Sequence, residues 1–250
     1  MSNKLCVGTL DQSYLPGAMA FFKSLIYNNT LFNIPFLIFV WDDYDYSDLK
    51  KIYSNIQFKK INISLCKNIK NEFRKWNYNV FVKLELFKEI LYDKIYFFDF
   101  DLIVNSNLDN FFSVNCDFGA VKAPECAYNH LHKVKNYFDA GVLMVGKKYI
   151  NMETYSNLKE MSLRNTWAGN ESLLNDFFYN QTTFLNKKYN TLTVDTITNY
   201  EDISIVQYVG AQKPWHEGSL IAKYTPKALR NNNIITIQKL QSLFNYYYSL

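Results

Sequence analysis

What this chain has little of narrows it first. Glycine (8) and proline (5) are scarce in 250 residues, so no flexible or proline-stiffened linker divides it, and no repeat or low-complexity tract is visible. Cys6, Cys66, Cys116 and Cys126 lie far apart with no C-x-x-C pair. That fits reduced thiols in a core better than a disulfide framework or a zinc site. Neither charge sign dominates: 27 basic residues against 23 acidic give a formal +4, with the lysines scattered. Nucleic acid is therefore not an expected partner, whereas small anions are compatible. No apolar run reaches the ~18 residues a membrane span needs, and MSNKLCVGTLDQ carries no basic segment followed by a long apolar one. The expectation is a cytoplasmic protein, in which N-x-[ST] at Asn28, Asn62, Asn170 and Asn180 is chance in an Asn-rich chain. Hydrophobic residues, by contrast, make up 48%, enough to bury a core, and the chain reads as one domain over 1–250.

The most informative stretch is IYFFDFDLIV, Ile95 to Val104. Four large apolar residues in a row predict a strand buried on both faces, as in parallel sheets. Such a strand delivers the residues after it to the carboxyl edge of the sheet, where open α/β folds bind ligands. There Asp99 and Asp101, at D-x-D spacing, repel one another unless something positive lies between them. A divalent cation is the natural partner, magnesium or manganese for hard oxygen ligands, with open positions for a substrate diphosphate. Capping of a strand end is the bland alternative, but a D-x-D inside an apolar strand has no turn to make. Two enzyme classes use this setting: nucleotide-sugar transferases, and phosphohydrolases with an aspartate nucleophile. The second fits less well, because Ile103 stands where Thr or Val is wanted and the strand comes late.

Around this strand the pattern alternates. Strands are predicted at Lys4–Leu10, Ile34–Trp41 and Lys59–Cys66, with helices at Gly17–Tyr27, about Ser47–Ser54 and Val80–Tyr92, the last on a stripe at 80, 84, 87 and 91. That alternation predicts a mostly parallel sheet. Tyr14 sits in a turn at the sheet edge, free to stack on a base or to pack on the helix start. Lys83 either snorkels to solvent or reaches the carboxyl edge. Beyond the centre come Leu108–Phe112, then a strand at Asp117–Val121 and a polar stretch whose His130 and His132 read as surface histidines. Tyr137–Val145 is a further strand, interrupted by Asp139, which needs a hydrogen-bonding partner or a sugar. GVLMVGKK misses the phosphate-loop pattern, since Lys148 replaces Ser/Thr. Next come helices at Ile150–Arg164 and Glu171–Tyr179, with Asn170 as N-cap, then a strand at Ile203–Tyr208 and a helical tail from about 234.

Five blocks occur in one order: TLDQSYLPGA, KL ahead of FFDFDLIV, FDAGVLMV, GNESLLNDFF and VQYVGAQKPW. Together they resemble glycosyltransferase family 8, retaining enzymes that include glycogenin-like and bacterial galactosyltransferases, over residues 4 to about 216. The resemblance implies a GT-A fold, a Rossmann-like mixed, mostly parallel sheet flanked by helices. It also implies Mn2+ (or Mg2+) and UDP-glucose or UDP-galactose as donor. Carried over, Thr9, Leu10 and Tyr14 hold the uridine. Asp99 and Asp101, with Phe100 between them, take the metal and ribose, and Lys83, Gly210 and Lys213 take the sugar and diphosphate. Asp139, Glu171 and Lys213 are the catalytic candidates, Asn170 a further donor contact.

Three departures from the family pattern stand out. Asp139 replaces an asparagine, Asn170–Glu171 replaces Asp-Gln, and Gln207 replaces a histidine that would be the third metal ligand. A neutral amide oxygen is a weaker manganese ligand than imidazole, which brings magnesium or metal-independent binding into view. Glu171 would orient the hexose hydroxyls, act as a nucleophile on the reacting carbon, or support that carbon by charge. The expected partners are a UDP-sugar and an acceptor that is a sugar or a protein tyrosine, with Tyr189, Tyr200 and the tail tyrosines as self-acceptor candidates, and a homodimer is admitted. The competing readings are a catalytically inactive nucleotide-sugar binder and a metal-dependent phosphohydrolase.

Overall fold

The computed structural model describes residues 3–28, 34–71, 78–124, 136–167, 169–195, 197, 199–210, 213–216 and 234–250. Twelve strands run in chain order among them. They are β1 (Lys4–Leu10), β2 (Phe36–Val40), β3 (Ile56–Lys60), β4 (Lys70–Asn71), β5 (Lys94–Phe98) and β6 (Leu102–Val104), then β7 (Phe118–Lys122), β8 (Phe138–Gly146), β9 (Thr166–Trp167), β10 (Thr183–Leu185), β11 (Thr191–Leu192) and β12 (Ile205–Gln207). The α-helices are α1 (Leu15–Tyr27), α2 (Ser47–Ile52), α3 (Asp109–Ser113), α4 (Met152–Arg164), α5 (Asn170–Phe177) and α6 (Ile234–Ser249).

Seven strands make the main sheet in the order β10-β7-β8-β5-β1-β2-β3. All are parallel except β8, which runs against both β5 and β7. The apolar run of β5 is buried on both faces as its sequence demands. Tyr96 and Phe98 join the core under α1, α2 and α3, while Ile95 and Phe97 join the opposite core under α4 and α5. A second sheet, β11-β12-β6, begins where β5 ends. From β5 to β6 the chain passes from one sheet to the other in three residues, Asp99, Phe100 and Asp101. Behind the small sheet α6 packs on α1 through Ala20, Ile237, Leu240 and Phe244, and the Tyr208 hydroxyl donates to Leu240 O at 2.7 Å.

The crossing is wedged by Phe100, whose ring is buried against Phe21 and Phe22 at centroid distances of 5.7 Å each. Two glycines make room for it. A Cβ on Gly8 would lie 2.5 Å from the Phe100 ring, and one on Gly17 would lie 2.1 Å from the Phe100 carbonyl oxygen.

Three predicted elements differ. The strand expected at Lys59–Cys66 is β3 at Ile56–Lys60, because Asn62 accepts from Ser64 N at 2.9 Å and starts a 3-10 segment, Ile63–Asn68. The helix expected at Val80–Tyr92 is a 3-10 segment, Tyr78–Lys88. Phe81, Val82, Leu84, Leu86 and Phe87 are all buried there while Leu91 is 79% exposed, so the spacing of 80, 84, 87 and 91 does not mark a buried face. Asn170 is the first residue of α5 instead of its cap, which is Gly169 at φ 141°. Gly17→Ala should cost about 1–3 kcal/mol in urea unfolding, because a backbone carbonyl cannot step aside as a side-chain tip can.

Candidate active site

Three features of the strands create this site. First, β5 stops at Phe98, although Asp99 N still donates to Gly141 O at 2.9 Å, so Asp99 sits at the carboxyl edge beside β8. Second, β8 is irregular there: Ala120 pairs with Leu143 but Val121 pairs with Asp139, leaving 140–142 out of the ladder on the β7 side. Such a bulge re-aims backbone groups. The Ala140 N–H is taken by Glu171 (3.2 Å) and its carbonyl by the Lys83 ammonium (2.6 Å). Third, β12 brings Gln207 over Gly141, where a Cβ would come within 2.3 Å of the Gln207 amide. Only glycine leaves that space.

Charge is dense and largely compensated. Lys83, 3% exposed, lies 3.3 Å from the Asp99 carboxylate and 4.2 Å from the Phe97 ring centroid, so it reaches the edge of the sheet instead of snorkelling away. Lys213, 4% exposed, holds Asp101 at 2.6 Å and donates to Tyr208 O at 2.7 Å. Asp139 accepts from Gly141 N (2.7 Å) and the Asn190 amide (2.8 Å). Burial pushes the Asp99 carboxyl up to about 7, with the Asp101 and Asp139 charges adding to the rise and Lys83 opposing it. Burial first, and then the charges of Asp101, Asp99 and Asp11, push the Tyr14 hydroxyl well above its ordinary range and keep it protonated. Burial next to Glu171 does the same for Tyr137.

Four carboxylates, Asp99, Asp101, Asp139 and Glu171, thus meet the two ammonium groups of Lys83 and Lys213 among the described residues, two negative charges in excess once all four are ionised. A divalent cation matches that excess. Its fit rests on a specific atom: Gln207 is 5% exposed, its amide nitrogen donates to Asp101 Oδ1 at 3.3 Å, and its Oε1 has no hydrogen-bond partner among the described residues. Two carboxylates and an unpaired amide oxygen form a hard-oxygen donor set that suits magnesium or manganese. No group of three or more His, Cys, Asp and Glu among the described residues is arranged to hold a metal.

The loop after β12 folds back onto the first turn of the chain. Gly210 takes φ 97°, which glycine alone adopts without strain, Trp215 Nε1 donates to Ser13 O at 3.0 Å, and the Trp215 and Tyr14 rings meet edge-on at 5.5 Å. Lys213 Nζ lies 5.8 Å from the Tyr14 centroid, which places Tyr14 beside the D-x-D.

Not every expected residue offers a side chain. Leu10 and Phe100 are core residues, 0% and 1% exposed, so only their backbones can border a ligand. The Asn170 amide nitrogen donates to Val80 O at 2.5 Å, tying α5 to the 3-10 segment. Thr9 is half-buried at the end of β1. His130 and His132 lie outside the described residues. Two residues that matter carried no signal: Asn190, one asparagine among many, and Gly141, whose role appears only when Gln207 is placed over it.

The sequence model of Glycosyl transferase family 8 matches residues 5–219. Among curated proteins, the lipopolysaccharide 1,2-glucosyltransferase of Escherichia coli (strain K12) is 23% identical over 265 residues, 89% of this chain and 76% of that protein. Glycosyltransferase GlyA of Streptococcus pneumoniae serotype 4 is 22% identical over 86% of this chain, which spans 32% of GlyA. Among solved structures, an active-site glutamine-to-glutamate mutant of LgtC superposes with TM-score 0.70 at 17% identity, covering 96% of this chain and 95% of that one. A galactosyltransferase LgtC complex with donor and acceptor sugar analogs gives 0.65 at 16% identity over the same shares.

The raised Asp99 carboxyl has a defined linkage. Between its ordinary 3.8 and about 7, the folded protein holds a proton that the unfolded chain lacks, so this stabilisation is full below 3.8 and lost as pH rises through about 7. In metal-free buffer Asp99→Asn, neutral throughout, should therefore be more stable than the parent by roughly 1–2 kcal/mol at pH 8, the gap closing toward pH 5 in thermal or urea melts.

Proposed function

The chain belongs to glycosyl transferase family 8 and has the GT-A fold, and from that membership we propose that it moves a hexose from a UDP-sugar to an acceptor hydroxyl with retention of configuration. The donor is UDP-glucose in the first instance, UDP-galactose in the second. The observation that carries the reading is the pair of buried lysines set on the two aspartates of the D-x-D at the carboxyl edge of the sheet.

In this reading the backbone of Thr9 and Leu10 and the protonated Tyr14 hold the uridine. Asp99, Asp101 and the Gln207 carbonyl hold Mn2+ or Mg2+, which when bound supplies charge neutralisation to the diphosphate. Lys83, Lys213 and the backbone at Gly210 stabilise the same charge as UDP departs. For Lys213 this means exchanging Asp101 for phosphate oxygens, an exchange its position between Asp101 and Tyr14 allows. Asp139 and Glu171 face the hexose, and Asn170, held to Val80 O, supports the start of the helix that carries Glu171. Glu171, braced on Ala140 N, supplies negative charge to the oxocarbenium-like carbon. The three-residue link between two sheets, the helices behind them and the tail helix serve as one catalytic unit.

The acceptor is an external saccharide. Self-glycosylation is disfavoured at Tyr189, Tyr246 and Tyr247 by where these three lie. Tyr189 is 6% exposed and packed on Phe111, and Tyr247 is 4% exposed. Tyr246 meets Tyr27 at the far end of α1, about 18 Å along a 13-residue helix whose start borders the D-x-D. The name of the Escherichia coli relative points the same way, toward a glycan.

The test is UDP release from UDP-glucose and UDP-galactose with Mn2+ or Mg2+, with saccharide acceptors, together with intact-protein mass spectrometry. UDP release that a chelator abolishes and that Lys213→Met lowers by about 100-fold is the expected result. Hexose increments on the protein would restore the self-acceptor; UDP binding without turnover would mark an inactive binder; phosphate release from model esters with no UDP binding would mark a phosphohydrolase. Glu171→Gln should lower turnover at least about tenfold while UDP affinity holds; unchanged turnover removes Glu171 from the reaction.

A further inference from the structure

Two buried amides at this site are held in the same way. Gln207 turns its nitrogen to Asp101, and Asn190 turns its nitrogen to Asp139 Oδ1 at 2.8 Å. An ionised carboxylate only accepts, so each amide must face it nitrogen-first, which fixes the orientation chemically. Each carbonyl oxygen is then left over, and neither Gln207 Oε1 nor Asn190 Oδ1 has a partner among the described residues. A buried acceptor without a donor forfeits its hydration for nothing, and such atoms in a native fold mark places that a ligand completes.

The first of these atoms belongs with the D-x-D. The second is unexplained so far. Asn190 is 1% exposed and closes the short 3-10 turn Lys187–Tyr189, ahead of β11. The same Asp139 oxygen also accepts from Gly141 N at 2.7 Å, and the Asp139 charge is felt by Asp99 and by Tyr137, the neighbour of Glu171. Asn190 is thus anchored on Asp139, next in the chain to Ala140, whose N–H and carbonyl serve Glu171 and Lys83.

We propose that Asn190 is a positioning and specificity-determining residue of the sugar subsite: its amide nitrogen fixes Asp139, and its carbonyl oxygen accepts a hydrogen bond from a hydroxyl of the transferred hexose. The inference rests on the donor reading above. An acceptor-only carbonyl beside a carboxylate selects hydroxyl donors. It rejects a phosphate, which Asp139 repels, and an N-acetyl carbonyl, which would oppose acceptor to acceptor.

Calorimetric titration in Mn2+ buffer with UDP, UDP-glucose, UDP-galactose and singly deoxygenated UDP-glucoses tests it on the parent, Asn190→Ala and Asn190→Ser. Asn190→Ser keeps a hydroxyl donor near Asp139 but withdraws the carbonyl, so it serves where Asn190→Ala loses its fold. UDP affinity should stay within about twofold in both variants while UDP-hexose binding weakens about tenfold, the worth of one hydrogen bond. One deoxy analogue should bind the parent about tenfold more weakly and lose nothing further in the variants, since its partner hydroxyl is already gone. Equal losses for UDP and UDP-hexose, or equal losses for every deoxy analogue, overturn the inference and leave Asn190 a structural brace. A parent protein that binds neither UDP nor UDP-hexose overturns the donor reading instead.

Discussion

The structure depends on a single constraint: the chain must leave a sheet buried on both faces while carrying two carboxylates through three residues. Apolar β5 cannot end in water, because β8 and the small sheet close over its carboxyl edge. Asp99 and Asp101 therefore emerge where hydration is poor, and unpaired charge there is costly. The fold answers with two lysines drawn from distant parts of the chain, each nearly buried and each also bonded to a backbone carbonyl. Lys83 and Lys213 dictate much of what surrounds them. The 3-10 segment exists in a form that delivers Lys83, and the loop after β12 returns to the first turn in a way that delivers Lys213.

Compensation is incomplete, and its incompleteness is informative. Asp99 still has a carboxyl raised to about 7, the balance of burial and like charge left after Lys83 has opposed them. Stability would be better served by a neutral side chain. Sites that bind charged ligands commonly retain such groups at a cost to the folded state.

Much of this was legible in the sequence, for reasons that can be stated. The alternation of apolar runs and helical segments predicts the mostly parallel sheet, since a strand buried on both faces has few other homes. The D-x-D is conspicuous because charge inside an apolar run needs a reason. What the sequence does not reveal is how neighbours meet. Lys83 could not be assigned between solvent and site, because the 3-10 geometry of its segment is invisible to a 3.6-residue period. The β8 bulge has no composition cue, so the backbone pair of Ala140 that serves Lys83 and Glu171 could not be foreseen. Phe100 reads as part of the motif, yet it is a core residue whose ring fills space left by Gly8 and whose carbonyl fills space left by Gly17, and Asn190 is hidden by the abundance of asparagine.

The order in which the chain is made adds a last consequence. Helix α1 is covered along Ala20 by α6, which is made far later, and Trp215 closes on Ser13. A ribosome-bound chain that has formed the main sheet therefore still exposes the flank of its earliest helix and lacks Lys213 at the carboxyl edge. Contacts this distant in sequence are slow to close and leave apolar surface open meanwhile. During synthesis the D-x-D therefore keeps the uncompensated part of its charge until the segment that carries Lys213 has been made.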